Sequence, residues 1–151
     1  MKKLSIVYHS QSKTTAKLAN YVYSGSKKEA DVSVDLILAS DANAETLLSS
    51  DGIIFGTPEN FGYMSGVLKD FFDRTFYQVE DKQLNIPYCI FVSAGNDGQG
   101  AVSSIDRIVK GYPLNKIAEP LIISAKDIEH ERKRCEDFGH NMAAGLALSI
   151  F

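Results

Sequence analysis

The chain has 151 residues, 44% of them hydrophobic and 23% charged, with 16 basic and 19 acidic side chains for a net charge of −3. That length suits a single domain over residues 1–151 with its own core, and the composition excludes a disordered or fibrous chain. The near-neutral balance lacks the basic excess of a nucleic-acid binder, and no apolar run approaches the ~20 residues of a membrane span.

In chain order, short apolar runs alternate with segments of helical period. Leu4–Tyr8 reads as a strand. Thr14 to about Lys27 reads as a helix with Ala16, Ala19, Val22 and Tyr23 on one face. Val32–Leu38 predicts a second strand and Ala44–Leu48 a short helix. Gly52–Gly56 predicts a third strand, apolar on both sides. Met64, Leu68, Phe71, Phe72 and Thr75 recur at helical spacing and place a helix over Ser65–Thr75. Pro87–Ala94 predicts a fourth strand. Ala101, Ile105, Ile108 and Val109 mark a helix that ends near Gly111-Tyr112-Pro113. Ile117–Ser124 holds a fifth strand. From Asp127 a long helix turns Ile128, Cys135, Phe138, Met142 and Leu146 inward, with Gly139 and Gly145 weakening it locally.

Five β-then-α units of ~30 residues each predict an α/β fold, a parallel sheet between two layers of helices. Ligands of such sheets bind beyond the carboxyl ends of the strands. Cys89 lies in the apolar run Tyr88–Val92 and reads as a buried thiol, far in sequence from Cys135. Two unpaired cysteines and an apolar N-terminal run too short for a leader peptide suggest a reducing cytoplasm. His130 and His140 are ten residues apart, which is not a metal-ligand spacing, and no metal site is expected.

Three loops carry the unusual residues. Ser10-Gln11-Ser12-Lys13-Thr14-Thr15 brings hydroxyls, an ammonium and free backbone N–H groups to a helix start. That suits a phosphate, and equally a simple N-cap. Gly56-Thr57-Pro58-Glu59-Asn60-Phe61-Gly62-Tyr63-Met64-Ser65-Gly66 sets two aromatics on flexible backbone after a buried strand, which suits a flat ring. The plainer reading is a turn whose Phe plugs the core. The three glycines of Ser93-Ala94-Gly95-Asn96-Asp97-Gly98-Gln99-Gly100 permit close backbone approach, although alone the segment reads as a polar turn. No G-x-G-x-x-G follows the first strand, so the usual dinucleotide loop is absent. An anion site, a ring site and backbone donors on one sheet edge together suit FMN.

With those residues in view, the sequence resembles the flavodoxin-like superfamily. Ser10–Thr15 is similar to its S/T-x-S/T-G-x-T phosphate loop, with Lys13 standing where the pattern has Gly. Gly56–Gly66, followed by Leu68-Lys69 and Phe72-Asp73-Arg74, is similar to the GTP-x-x-F-G-x-M-SG segment of NAD(P)H-dependent FMN and quinone reductases. The resemblance implies a five-stranded sheet of order 2-1-3-4-5. It implies FMN held by Ser10, Gln11, Ser12, Lys13, Thr14 and Thr15 at the phosphate. Pro58, Glu59, Asn60, Phe61 and Gly62 would lie at the ring, and Ser93, Ala94, Gly95, Asn96, Asp97 and Gly98 at its pyrimidine side. NAD(P)H is the implied electron donor and a small molecule the acceptor, with no catalytic side chain required. A homodimer would be unsurprising for such an enzyme. A flavodoxin-type carrier between protein partners is the alternative. The net charge of only −3 and the missing Trp favour the reductase, because carriers of this kind are typically strongly acidic and cover the ring with Trp. A flavin-binding module without catalysis is the third reading.

Overall fold

The central strands of the sheet are the most apolar ones, and they organise the rest. The computed structural model describes residues 1–151. Strands β1 (Lys2–Tyr8), β2 (Val32–Leu38), β3 (Gly52–Pro58), β4 (Pro87–Ala94), β5 (Asn115–Lys116) and β6 (Leu121–Ser124) alternate with helices α1 (Thr14–Ser26), α2 (Ala44–Leu48), α3 (Gly66–Val79), α4 (Gln99–Val109) and α5 (Arg132–Ala147). All pairings are parallel, in the order β2-β1-β3-β4-β5, and β6 also pairs with β4. Every residue of β4 is buried, as are Gly52–Thr57 of β3, because helices cover both faces.

The two faces are built differently. On one, α2, α3 and α4 enclose Phe55, Phe71, Phe72, Tyr88 and Tyr112, with the Phe55 and Phe72 ring centroids 5.1 Å apart. The Tyr112 hydroxyl donates to the Phe72 carbonyl at 2.7 Å, so the buried phenol has a partner. On the other, α1 and α5 pack over Leu4, Ile6, Ile54 and Phe91. A Cβ at Gly25 would overlap the Glu136 carbonyl, and one at Gly139 would overlap that of Val22. Gly139 is therefore the point where the two helix backbones meet. Its propensity cost of ~1 kcal/mol is exchanged for close packing.

Three sequence expectations need correction. The fifth strand is two pieces: Lys116 pairs with Tyr88 and Leu121 with Phe91, so five residue steps span three on β4 and the chain bulges around Pro120. Proline has no N–H to give the ladder. The last helix does not run from Asp127. A 3₁₀ turn at Ala125–Asp127 precedes it, and α5 begins at Arg132. In α1 the inward stripe is Thr15, Leu18, Ala19, Val22 and Gly25, leaving Ala16 and Tyr23 half-buried at its flanks. Cys89 is buried as expected, and its apolar surroundings push the thiol pKa upward. No helix is long and apolar enough to cross a membrane.

Candidate functional site

In-register parallel strands deliver their following loops to one edge. Tyr8 pairs with Gly56 and Pro58 with Ser93, so the segments after β1, β3 and β4 emerge side by side. Three pairwise ties join them. Asn60 Nδ2 donates to Gln11 Oε1 at 3.2 Å. The hydroxyls of Thr15 and Ser93 lie 2.6 Å apart. The Glu59 amide donates to the Ser93 carbonyl at 3.0 Å. The loops thus form one surface.

The first loop is an open helix start. Lys13, the N-cap of α1, sits at φ 69° and offers no capping side chain. Ser10 Oγ accepts from the Ala16 amide at 2.9 Å. The N–H groups of residues 12–15 have no partner within the chain. Four donors converging at the positive end of a helix suit a phosphate. Lys13 holds the left-handed conformation that the resembled pattern gives to Gly, at a cost of ~1–2 kcal/mol for a residue with a Cβ. Gln11, Ser12 and Lys13 are exposed and Thr14 partly so, whereas Thr15 is buried. Thr15 and Ser93 bond to each other, so their side chains lock loops rather than line open space.

The second loop ends in a tight hairpin. Asn60 and Tyr63 exchange both backbone hydrogen bonds, at 2.9 and 3.0 Å, around Phe61 and Gly62. Both central residues have positive φ, 53° and 69°, as a type I′ turn demands. An aromatic in that conformation is unusual. Phe61 is fully exposed at the tip and Tyr63 is 41% exposed, so Phe61 does not plug the core. The Met64 amide donates to Ser104 Oγ of α4 at 3.1 Å, and Ser65 caps α3 by accepting from Leu68 at 3.3 Å.

The third loop presents Gly95, Asn96 and Asp97 to solvent and buries Ala94 and Gly98. Gly98 has φ 71°, and a Cβ there would come within 2.7 Å of Ile122 Cγ2. The donors beyond it are already engaged. Glu59 Oε2 accepts from the amides of Gly100 at 3.0 Å and Ala101 at 3.3 Å, and Asp97 Oδ1 accepts from Gln99 at 3.1 Å. The sequence reading missed this role of the Glu59 side chain, which caps a helix 41 residues away and leaves no local signature. His9, just before the first loop, has its imidazole pKa lowered by partial burial. Arg74 lies outside the site: its guanidinium donates to the Ala39 and Ala42 carbonyls at 2.8 and 3.0 Å and holds the β2–α2 connection.

Comparison with known proteins bears on this edge directly. A family model described as NADPH-dependent FMN reductase matches residues 39–112, which include the whole aromatic hairpin and the third loop. The fold is flavodoxin-like. A flavodoxin of Aquifex aeolicus is 26% identical over 99% of this chain and 90% of its own length. A quinone-oxidoreductase of Triphysaria versicolor is 31% identical over 65% of this chain, but the match spans only 58% of that protein. A solved archaeal flavodoxin superposes with a TM-score of 0.81, covering 94% of this chain and 96% of its own at 22% identity. The flavodoxin-like strand order is therefore present in full. The match to the FMN reductase model is confined to the middle of the chain.

Proposed function

We propose that the chain binds FMN at the edge formed by its three loops and works in the cytoplasm as an NAD(P)H-dependent oxidoreductase on a small acceptor such as a quinone or free flavin. The observation that carries the cofactor assignment is the open start of α1, four unpartnered amides ringed by Ser12, Lys13 and Thr14. Those amides and hydroxyls hold the phosphate, each charge-assisted contact contributing ~1.5–3 kcal/mol. Phe61 and Tyr63 supply aromatic surface to the ring, and exposed backbone at Gly95–Asp97 supplies donors to its pyrimidine side. Bound there, FMN would supply the redox chemistry between a nicotinamide donor and the acceptor. Fixed N–H donors favour the reduced, more negative form. No side-chain acid or base is assigned.

A flavodoxin-type carrier is the second reading, favoured by the 90% span of the Aquifex flavodoxin. Against it stand the net charge of −3, the lysines beside the first loop and the absence of Trp. The two readings part in one anaerobic experiment on the FMN-loaded chain. A reductase loses its flavin colour on adding NADPH or NADH and regains it with a quinone. A carrier is bleached by dithionite but not by nicotinamide nucleotide. Failure to bind FMN at excess would remove the site assignment itself.

A further inference from the structure

Away from the three loops, between α5 and the first half of β4, lies an apolar cavity of about 380 Å³. Cys89 and Met142, both buried, form its floor, and Cys89 stands five residues before the end of β4. That length of strand spans ~16 Å, so the cavity is well separated from the loop edge. Two features leave the space open. The break between β5 and β6 takes Ile117 and Ala118 out of the strand beside Cys89, and they wall the cavity. On α5, Gly145 has no side chain, and a Cβ there would lie 2.1 Å from Phe151 Cζ. The Phe151 ring therefore sits where a side chain of α5 would otherwise stand.

The segment after α5 puts that ring in place. Ser149 has φ 53°, and the Ser149 and Ile150 amides donate to the Leu146 and Gly145 carbonyls at 3.1 and 2.9 Å. This is the left-handed helix stop usually built on Gly, and it turns the chain back over the last turn of α5. Phe151 stays 44% exposed and Ile150 68%, so the ring rests on the mouth of the cavity without being part of the core. No lining side chain is charged, and Asn141 brings the one amide. Burial keeps the Cys89 thiol neutral by pushing its pKa up. An ion entering would lose its hydration with nothing to replace it, whereas an apolar guest gains by leaving water. The volume suits roughly ten to twenty heavy atoms, at ~30 Å³ for a water-sized group and less for a ring carbon.

We propose that this cavity binds an uncharged, largely apolar small molecule, with the Phe151 ring as a plug that the ligand displaces. A single polar group on the ligand faces Asn141. The site stands apart from the flavin edge, and its evidence is the chemistry of its lining and the way it is covered.

Fluorescence titration of the full chain with N-phenylnaphthylamine, an uncharged diarylamine, tests it. One equivalent should bind, and the sulfonated relative anilinonaphthalenesulfonate should bind about tenfold more weakly or less. Ala118→Phe fills the cavity from the bulge and should weaken the diarylamine about tenfold. Ala144→Leu fills it from α5 and should act in the same direction, which keeps the test decisive if the first variant folds poorly. Phe151→Ala should speed association about threefold in stopped flow, and an unchanged rate would overturn the plug. Excess FMN and Phe61→Ala should both leave the probe bound. Displacement by FMN, or loss of binding in Phe61→Ala, would put the probe on the aromatic hairpin and overturn the proposal. Unchanged affinity in both filled variants would do the same. So would binding that falls as the chain self-associates with rising concentration, which would give this face to a second copy. The readout needs no flavin, so the result stands whether or not the FMN reading does.

Discussion

Helices α1 and α4 start at the same edge in the same way, and only one start is open. Each has a left-handed N-cap, Lys13 or Gly98, without a capping side chain of its own. At α4 the Glu59 carboxylate reaches across from the neighbouring loop and takes two amides, and Asp97 takes a third. At α1 the amides of residues 12–15 meet nothing. Both helices have the same dipole polarity, so the dipole alone does not choose the anion site. The chain chooses, by supplying an internal carboxylate to one start and withholding it from the other.

The comparison can be broken most sharply at the open start. Ser12→Glu puts a carboxylate where the phosphate is assigned, imitating what Glu59 does at α4. FMN affinity should fall about a hundredfold, ~2.7 kcal/mol, in a fluorescence titration, with the melting temperature maintained. Unchanged affinity would remove the first loop from the site. Emptying the closed start comes next. Glu59→Ala strips two amides of their acceptor and should cost ~1–2 kcal/mol in chemical denaturation, with Glu59→Gln recovering part of it. A loss below ~0.3 kcal/mol would mean that water replaces the carboxylate without penalty. Exchanging the two caps is a smaller test. Lys13→Gly should gain ~0.5–1 kcal/mol by relieving the left-handed backbone, and Gly98→Ala should lose more than that, having Ile122 in its way. Equal effects would erase the difference between the two caps.

The smallest expected effect is one of pH. Burial keeps the His9 imidazole pKa below its ordinary value, so the unfolded chain takes up a proton more readily than the folded one. The resulting stability is present above that ordinary value and is lost as the pH falls through it toward the folded pKa. In His9→Gln, the fall in midpoint between neutral and mildly acidic pH should be shallower. An identical slope would show that His9 carries none of it.

Much of the open start was legible in sequence, because a hydroxyl-rich run ahead of a helical period is a local signal. The closed start was not. Nothing near Glu59 announces that its carboxylate belongs to residues 100 and 101. The same division runs through the fold. Pro87–Ala94 and Ala44–Leu48 were read with their observed ends, since a continuous apolar run and an amphipathic turn show themselves locally. The break in the last strand was missed because Ile117–Ser124 is apolar enough to be one strand, and only its pairing with β4 reveals the bulge. Gly139 looked like a flaw in a helix because its meaning lies in α1. Residue type alone left Phe61 open between an exposed ring contact and a core plug, and its exposure follows from a turn closed by Asn60 and Tyr63.

The ties between the loops also set a timetable. The bonds Asn60–Gln11, Thr15–Ser93 and Glu59–Gly100 bridge 49, 78 and 41 positions. Contacts of such long range form late, after the intervening chain has closed into loops. A chain emerging from the ribosome has its hydroxyl loop early, yet that loop stays unsupported until β4 and the start of α4 are available. The edge is therefore complete only after about two-thirds of the chain has been made.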